Sequence, residues 1–140
     1  MKVSDIDRSN YLKAILILIG KDRKIGGKEK ELVIRLSGLL GFSKQFCEDA
    51  INELLENHYI IEDPPLFTDK RIAESFIIDG IRIAFCDGSM HLYEMNWIKS
   101  VGEKNKIPLE WRLSELEKFQ NSFKVSAQME FEIVNLMEKE

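Results

Sequence analysis

Apolar residues recur every three or four positions along most of this chain, which is the period of an amphipathic α-helix. The pattern predicts a first helix that is capped by Ser9 or Asn10 and runs through about Lys21. This helix is so rich in apolar residues that it should lie at the centre of the fold. A second helix over about residues 27–40 should end at Gly41, where left-handed geometry is favoured. Its inward side should carry Leu32, Val33, Leu36, Leu39 and Leu40.

Ser43 is placed to cap a third helix. Its apolar positions, which should face inward, are Phe46, Ala50, Ile51, Leu54 and Leu55. Its outward positions are acidic, namely Glu48, Asp49, Glu53 and Glu56. The helical pattern then breaks over residues 59–67, because Pro64 and Pro65 cannot continue a helix.

Three further helices follow the prolines. The fourth should begin at Thr68 or Asp69, the fifth should span about residues 91–104, and the sixth should run from Pro108 to about Phe119. The apolar positions of the fourth helix are Ile72, Ala73, Phe76, Ile77, Gly80, Ile83 and Ala84. The pattern therefore predicts an all-α fold, a single bundle of six to seven helices.

The C-terminal extension, residues 121–140, fits two periods and lies outside a core of about residues 10–120. Apolar residues alternate with polar ones from Phe123 to Ile133, as in a strand, but a helical face also fits. We favour a helix over about residues 126–138, because a lone strand would leave its backbone unpaired. The alternative strand would pair with residues 59–67 or with a second subunit.

One segment of the chain occurs twice, at an offset of 65 residues. Acidic and apolar residues recur at matching positions in the two copies. The matching pairs are Asp22 with Asp87, Ile25 with Met90, Glu29 with Glu94, Val33 with Ile98, and Leu36 with Val101. Such self-similarity at a fixed spacing predicts an internal pseudo-duplication of a helical unit.

Composition narrows the protein class. A chain of 140 residues without a linker-like segment is expected to form one domain. Its formal net charge is −4. The longest apolar run, residues 14–19, falls well short of the ~20 residues that span a bilayer, and its polar start does not fit a signal peptide. Cys47 and Cys86 have no ligand-like spacing, which is typical of reduced, buried thiols in a cytoplasmic protein. The acidic balance argues against nucleic acid as a partner.

The second copy carries a resemblance to a known family. Asp87-Gly88, followed by Glu94 and an apolar helix, closely resembles the signature of tellurite-resistance TerB-like domains. Residues 79–86 resemble the helix before that family's acidic turn, and the first copy at residues 22–29 with Gly41-Phe42-Ser43 is similar to its N-terminal half. The resemblance covers about residues 10–120. It implies a pseudo-duplicated helical bundle without known catalytic activity, linked to metal stress, phage defence or membrane-associated complexes.

Five acidic residues are the candidate ligands of a divalent cation, and no other cofactor is expected. They are Asp22, Glu29, Asp79, Asp87 and Glu94. The loop from Asp87 to Glu94 adds only the Ser89 hydroxyl, too few oxygens for a local calcium site, so a cation would need ligands from across the fold. The alternative is helix capping, because Glu94 lies three residues after His91 and Glu29 three residues after Gly26. Basic residues around the first copy, such as Arg23, would oppose a bound cation.

Catalytic chemistry finds little support in the sequence. His58 and His91 have no obvious orienting acid or nucleophile, and neither cysteine has a signature of activation. We therefore expect no catalytic residues and no enzyme.

Two binding functions remain as hypotheses. The first is a scaffold that binds a protein partner through its acidic face and its tail, with a second copy of the chain as a further option. The alternative is a winged-helix-like DNA-binding regulator built on residues 28–67, with the third helix in the major groove. The four acids on that helix would repel phosphates, so the sequence favours the protein partner.

Overall fold

The computed structural model describes residues 1–20, 25–56, 62–86, 88, 90–122 and 130–137. Every regular element among them is an α-helix, which confirms the predicted all-α class. The described helices are α1 (Asp5–Ile19), α2 (Gly27–Leu39), α3 (Lys44–Glu56), α4 (Lys70–Ala84), α5 (Leu92–Lys104), α6 (Leu109–Ser122) and α7 (Ile133–Met137). None of them combines the length and the apolarity needed to cross a bilayer.

Helix α1 begins earlier than the sequence pattern predicts. The cap is Ser4, whose Oγ accepts a hydrogen bond from the Asp7 backbone N–H at 3.2 Å, so the predicted caps Ser9 and Asn10 are wrong. The reason is a long-range contact. The buried Asp7 carboxylate accepts hydrogen bonds from the backbone N–H and the hydroxyl of Thr68. A polar first turn can therefore be buried, because its acid has partners from another segment.

Helices α1 and α4 form the centre of the bundle. They pack against each other, and each also contacts α2 and α5. Residues 14–19 of α1 are buried on all sides, which confirms the predicted central position of this helix. All seven apolar positions predicted for α4 are buried too, and Asp69 caps the helix by accepting the Arg71 backbone N–H at 2.8 Å.

The predicted duplication is visible in the backbone. Helices α4, α5 and α6 begin 65 residues after α1, α2 and α3, respectively. Helices α2 and α5 end in the same way, with positive φ at Gly41 (99°) and at Lys106 (58°). The hydrogen bond that closes each turn also recurs, from Phe42 N to Ser37 O at 3.0 Å and from Ile107 N to Gly102 O at 2.9 Å. The two halves therefore repeat one three-helix unit.

Helix α3 buries a different side from the predicted one. Cys47 and Ile51 are fully buried, whereas the predicted inward residues Phe46 and Leu55 are 53% and 37% exposed. Phe46 instead stacks on the half-buried Phe42, with ring centroids 5.3 Å apart. Leu39 of α2, also predicted to face inward, is 43% exposed. Short apolar patterns leave the facing angle of a helix open by about one residue position, and packing decides it.

The C-terminal extension packs into the bundle. Phe131 and Ile133 are buried, and α7 packs on α4. The Arg35 guanidinium lies 4.8 Å from the centroid of the Phe131 ring. The described helix starts at Ile133, later than the predicted residue 126, and residues 126–129 and 138 lie outside the described part. Residues 130–137 contain no strand, so the helical alternative fits where the chain is described.

Candidate functional site

Asp79 is the most deeply buried of the three predicted metal ligands that the structure describes, which are Glu29, Asp79 and Glu94. Its carboxylate accepts hydrogen bonds from the Tyr11 hydroxyl at 2.5 Å and from the backbone N–H groups of Glu132 at 2.7 Å and Ile133 at 3.2 Å. The Arg82 guanidinium lies 3.9 Å away. Asp79 therefore ties the C-terminal extension to α1 and α4, and its oxygens are occupied by donors rather than open to a cation.

Burial dominates the electrostatics of this cluster. It raises the pKa of Asp79 from 3.8 to about 6, although the hydrogen bonds from Tyr11, Glu132 and Ile133 and the nearby charge of Arg82 act in the opposite direction. Burial and the neighbouring Asp79 also raise the pKa of Tyr11 well above its usual range, so its hydroxyl remains a donor. A strongly shifted carboxyl often marks a functional site. Here the group faces the interior of the bundle and its hydrogen-bond partners are the buried Tyr11 hydroxyl and two backbone amides, which indicates a structural role.

The two repeated glutamates lie at equivalent helix starts. Glu94 and Glu29 are both buried, three residues after the caps His91 and Gly26. The Glu94 Oε1 accepts the backbone N–H of His91 at 3.1 Å. That is the reciprocal half of a capping box, and it explains an acid at this position without a ligand.

The metal hypothesis gains no assembled site from the described residues. Asp22 and Asp87 lie outside them, so their position relative to Asp79, Glu29 and Glu94 is not described. Within the described ranges, no group of three or more His, Cys, Asp or Glu side chains is placed to hold a metal ion.

The residues considered for catalysis are not grouped either. Cys47 and Cys86 are buried and form no disulfide, and burial raises the pKa of the Cys47 thiol, which disfavours the nucleophilic thiolate. His91 is the cap of α5, and His58 lies outside the described residues.

The face of α3 that a winged-helix model would place in DNA is acidic. Asp49, Glu53 and Glu56 are exposed. Glu48 is half-buried, and its carboxylate lies 3.8 Å from the Lys44 ammonium. No strand occurs between residues 62 and 67, the described part of the segment that would form a wing.

An apolar groove of about 150 Å³ opens between α4, α5 and α6, and we call it the α5–α6 groove. Ile81 of α4 and Ile98 of α5 contribute to one side, and Leu113 and Leu116 of α6 contribute to the other. Two cations, Lys99 and Arg112, are the charged residues of its lining. Apolar walls with a few charged groups are typical of a binding site.

Large apolar side chains extend the groove into solvent. Met95, Leu109 and Leu113 all line it, and they are 41%, 55% and 54% exposed. Leu92, one turn before Met95 on α5, is 67% exposed. Single exposed leucines are common, but a contiguous apolar patch beside a groove marks an interaction surface.

The first half of the repeat shows how the same positions look on a solvated surface. Subtracting 65 residues maps Leu109 and Leu113 onto Lys44 and Glu48, which form an ion pair at 3.8 Å. The same offset maps Met95 onto Lys30, which is exposed. Each of these apolar groove residues therefore stands where the other half carries a charge, so the repeated backbone does not require an apolar residue there.

The two halves also differ at the position of Arg112. Its counterpart is Cys47, which is fully buried beside Ser37, whereas Arg112 is half-buried and lies against Gly102. A Cβ atom on Gly102 would meet the Arg112 Cδ at 2.6 Å, so the absence of a side chain there accommodates the arginine. Helix α3 packs on both α1 and α2, whereas the principal contact of α6 is with α4. The larger side chain of Arg112 therefore lies where the second half is packed more openly than the first half.

The Arg112 guanidinium is only partly satisfied. Its Nε donates to the Ile107 carbonyl oxygen at 3.3 Å. No carboxylate of the described residues lies within ion-pair distance of it. A half-buried guanidinium with free N–H groups at an apolar groove is suited to a carboxylate of a bound partner.

Sequence reasoning missed this groove, although a signal was present. The 65-residue alignment already placed Lys30, Lys44 and Glu48 opposite apolar residues. The matching positions define the repeat, whereas the differing positions lie on the surface of the groove.

Comparison of the chain with protein-family models, with curated proteins and with solved structures gives no match. The TerB-like resemblance therefore stays a prediction that rests on residues 22–29, 41–43 and 79–94.

Proposed function

We propose that this chain is a non-enzymatic interaction module, of the kind that the TerB-like resemblance implies, and that the α5–α6 groove is its binding surface. The observation that carries the proposal is the replacement of Lys30, Lys44 and Glu48 by apolar residues at the equivalent positions of the second half. Both cysteines are buried and neither is in a disulfide, which fits a reducing compartment, so we propose the cytoplasm as its location.

The chemistry of the groove defines the class of partner. Its apolar walls suit the leucine-type side chains of an amphipathic helix, which docks through residues at i, i+4 and i+7. Lys99 and Arg112 at the same groove favour glutamate or aspartate next to that apolar stripe. The partner is therefore a helix with an apolar face bordered by carboxylates.

A pair of synthetic peptides tests this proposal. One is an amphipathic helix with a leucine stripe bordered by glutamates, and the other has lysines in place of the glutamates. In fluorescence anisotropy against the full chain, we expect the acidic peptide to bind at least about tenfold more tightly, because its charges complement Arg112. The preference should shrink as salt is added.

Variants locate the binding site. Leu113→Glu should weaken binding of the acidic peptide at least about tenfold, because it puts a carboxylate into the apolar stripe. Leu66→Glu is the matched control, since Leu66 is 63% exposed and lies outside the groove lining. Equal binding of the two peptides, or equal effects of the two variants, would contradict the proposed function.

A further inference from the structure

We infer that the helix bound in the α5–α6 groove is α6 of a second copy of this chain, so that the protein forms a two-fold homodimer. The inference rests on the proposed function, because it assigns an occupant to the same groove. Helix α6 has the chemistry required of that occupant. It exposes Leu109 and Leu113 on one side, and the exposed Glu110 and Glu117 border them.

Two charges of α6, those of Arg112 and Glu117, are unpaired within the described part of one copy and complementary between copies. Arg112 has no carboxylate partner among the described residues, and exposed Glu117 has no cationic partner among them. The two residues are five positions apart, and side chains at that spacing do not face each other on one helix. By contrast, Glu115 is already paired with Lys118 at 3.2 Å. An interface between two copies can bring Arg112 of one copy to Glu117 of the other.

Antiparallel pairing of two α6 helices brings these groups together. If Arg112 lies opposite Glu117 of the second copy, helical numbering places Leu113 opposite Leu116. Two-fold symmetry repeats both pairs, so one interface contains two leucine contacts flanked by two ion pairs. An apolar seam with opposite charges along its borders is the arrangement that sets orientation between paired helices.

The first half explains why the interface is confined to α6. On α3, the positions equivalent to Leu109 and Leu113 are the Lys44–Glu48 ion pair, and the position equivalent to Arg112 is the buried Cys47. At these equivalent positions, α3 therefore offers neither an exposed leucine nor an unpaired cation. The dimer is expected to use one α6 from each copy and to close without further addition.

Sedimentation equilibrium of the full chain over a wide concentration range is the first test. We expect a reversible transition from the 16.3 kDa monomer to twice that mass. Leu113→Glu should weaken the dimer at least about tenfold, whereas Leu66→Glu should leave it unchanged.

A charge exchange then tests the register. Arg112→Glu and Glu117→Arg should each weaken the dimer at least about tenfold, and the double variant should restore it to within about threefold of the original. Circular dichroism and urea unfolding check that each variant folds. Glu117 and Leu113 are exposed, so their variants keep the test valid if Arg112→Glu does not fold.

Each outcome supports or overturns the inference. A chain that stays monomeric at all concentrations overturns it. So does a dimer that tolerates Leu113→Glu, or one that the double exchange fails to restore. If the monomeric chain still binds the acidic peptide, the proposed function stands and only the identity of the helix is wrong.

Discussion

Raising the pH from about 4 to about 7 is expected to destabilise this protein through Asp79. Burial raises the pKa of Asp79 in the folded chain to about 6, from 3.8. Between these two values the folded state holds a proton that the unfolded state has lost. The free energy of unfolding therefore falls as the pH rises through this window, and the contribution of Asp79 is greatest at the acid end.

The magnitude follows from the size of the shift. Each pKa unit corresponds to about 1.4 kcal/mol, so a rise of roughly two units lowers the free energy of unfolding by about 3 kcal/mol across the window. The free energy of unfolding of a typical domain is roughly 5–15 kcal/mol, so a change of this size is a large part of it. Tyr11 does not contribute, because its own pKa is raised well above this range.

The assay compares the wild-type chain with Asp79→Asn, which cannot ionise. Urea unfolding at several pH values gives the difference in stability between the two proteins, in which Glu132 and the other carboxylates cancel. We expect this difference to move against the wild type by about 3 kcal/mol between about pH 4 and about pH 7.

Asp69 provides a control, because its pKa is shifted in the opposite direction. The pKa of Asp69 is lowered, because its carboxylate accepts hydrogen bonds from the Arg71 side chain and backbone. Its contribution is present above the unfolded pKa and is lost only toward acid, so Asp69→Asn should show no loss of wild-type stability with rising pH. A difference for Asp79→Asn that stays constant, or that moves in favour of the wild type as pH rises, would refute the reasoning.

Four further outcomes are expected. Gly102→Ser should destabilise the chain by no more than about 1 kcal/mol in urea unfolding, because the Arg112 side chain that its Cβ would meet is flexible, and Arg112→Cys in the same chain should recover most of the loss. A persistent loss in the double variant would mean that the two positions do not compensate. Lys106→Gly should stabilise by roughly 0.5–1 kcal/mol, since φ at Lys106 is 58°, and a lower melting temperature would contradict this. Phe131→Ala should cost about 3–5 kcal/mol if the extension belongs to the core, and an unchanged unfolding midpoint would show that it does not. Millimolar calcium should leave the melting temperature unchanged, whereas a rise that Asp87→Asn abolishes would support the metal hypothesis.

The parts of the fold that sequence reasoning predicted are those set by local chemistry. Helix α4 begins after its cap Asp69 and α5 begins after His91, because a cap and an apolar period are readable within one turn. The repeat was readable for the same reason, since equivalent residues keep a fixed offset. The end of α2 was also predictable from local chemistry, because the glycine at position 41 readily adopts the positive φ found there.

The errors fall where residues far apart in the chain decide the outcome. Asp7 belongs to a buried helix start because Thr68 supplies its hydrogen bonds, and no local pattern shows this pairing. Helix α7 begins at Ile133, whose backbone N–H donates to Asp79. In both cases a polar group is buried with a distant partner, and a single sequence does not identify such partners.

The differences between the two halves carry more functional information than their similarities. Matching residues, such as Glu29 and Glu94, perform the same task of starting a helix, which any copy of the unit needs. At the positions of Met95, Leu109 and Leu113, by contrast, the first half of the chain carries charged residues, so the repeated unit does not require apolar residues there. An exposed apolar side chain favours association with other molecules, so three such changes on one surface are not neutral for a free monomer. They share that surface with a guanidinium that has no carboxylate within the described residues, and both features are satisfied by one kind of contact, an apolar helix bordered by acids.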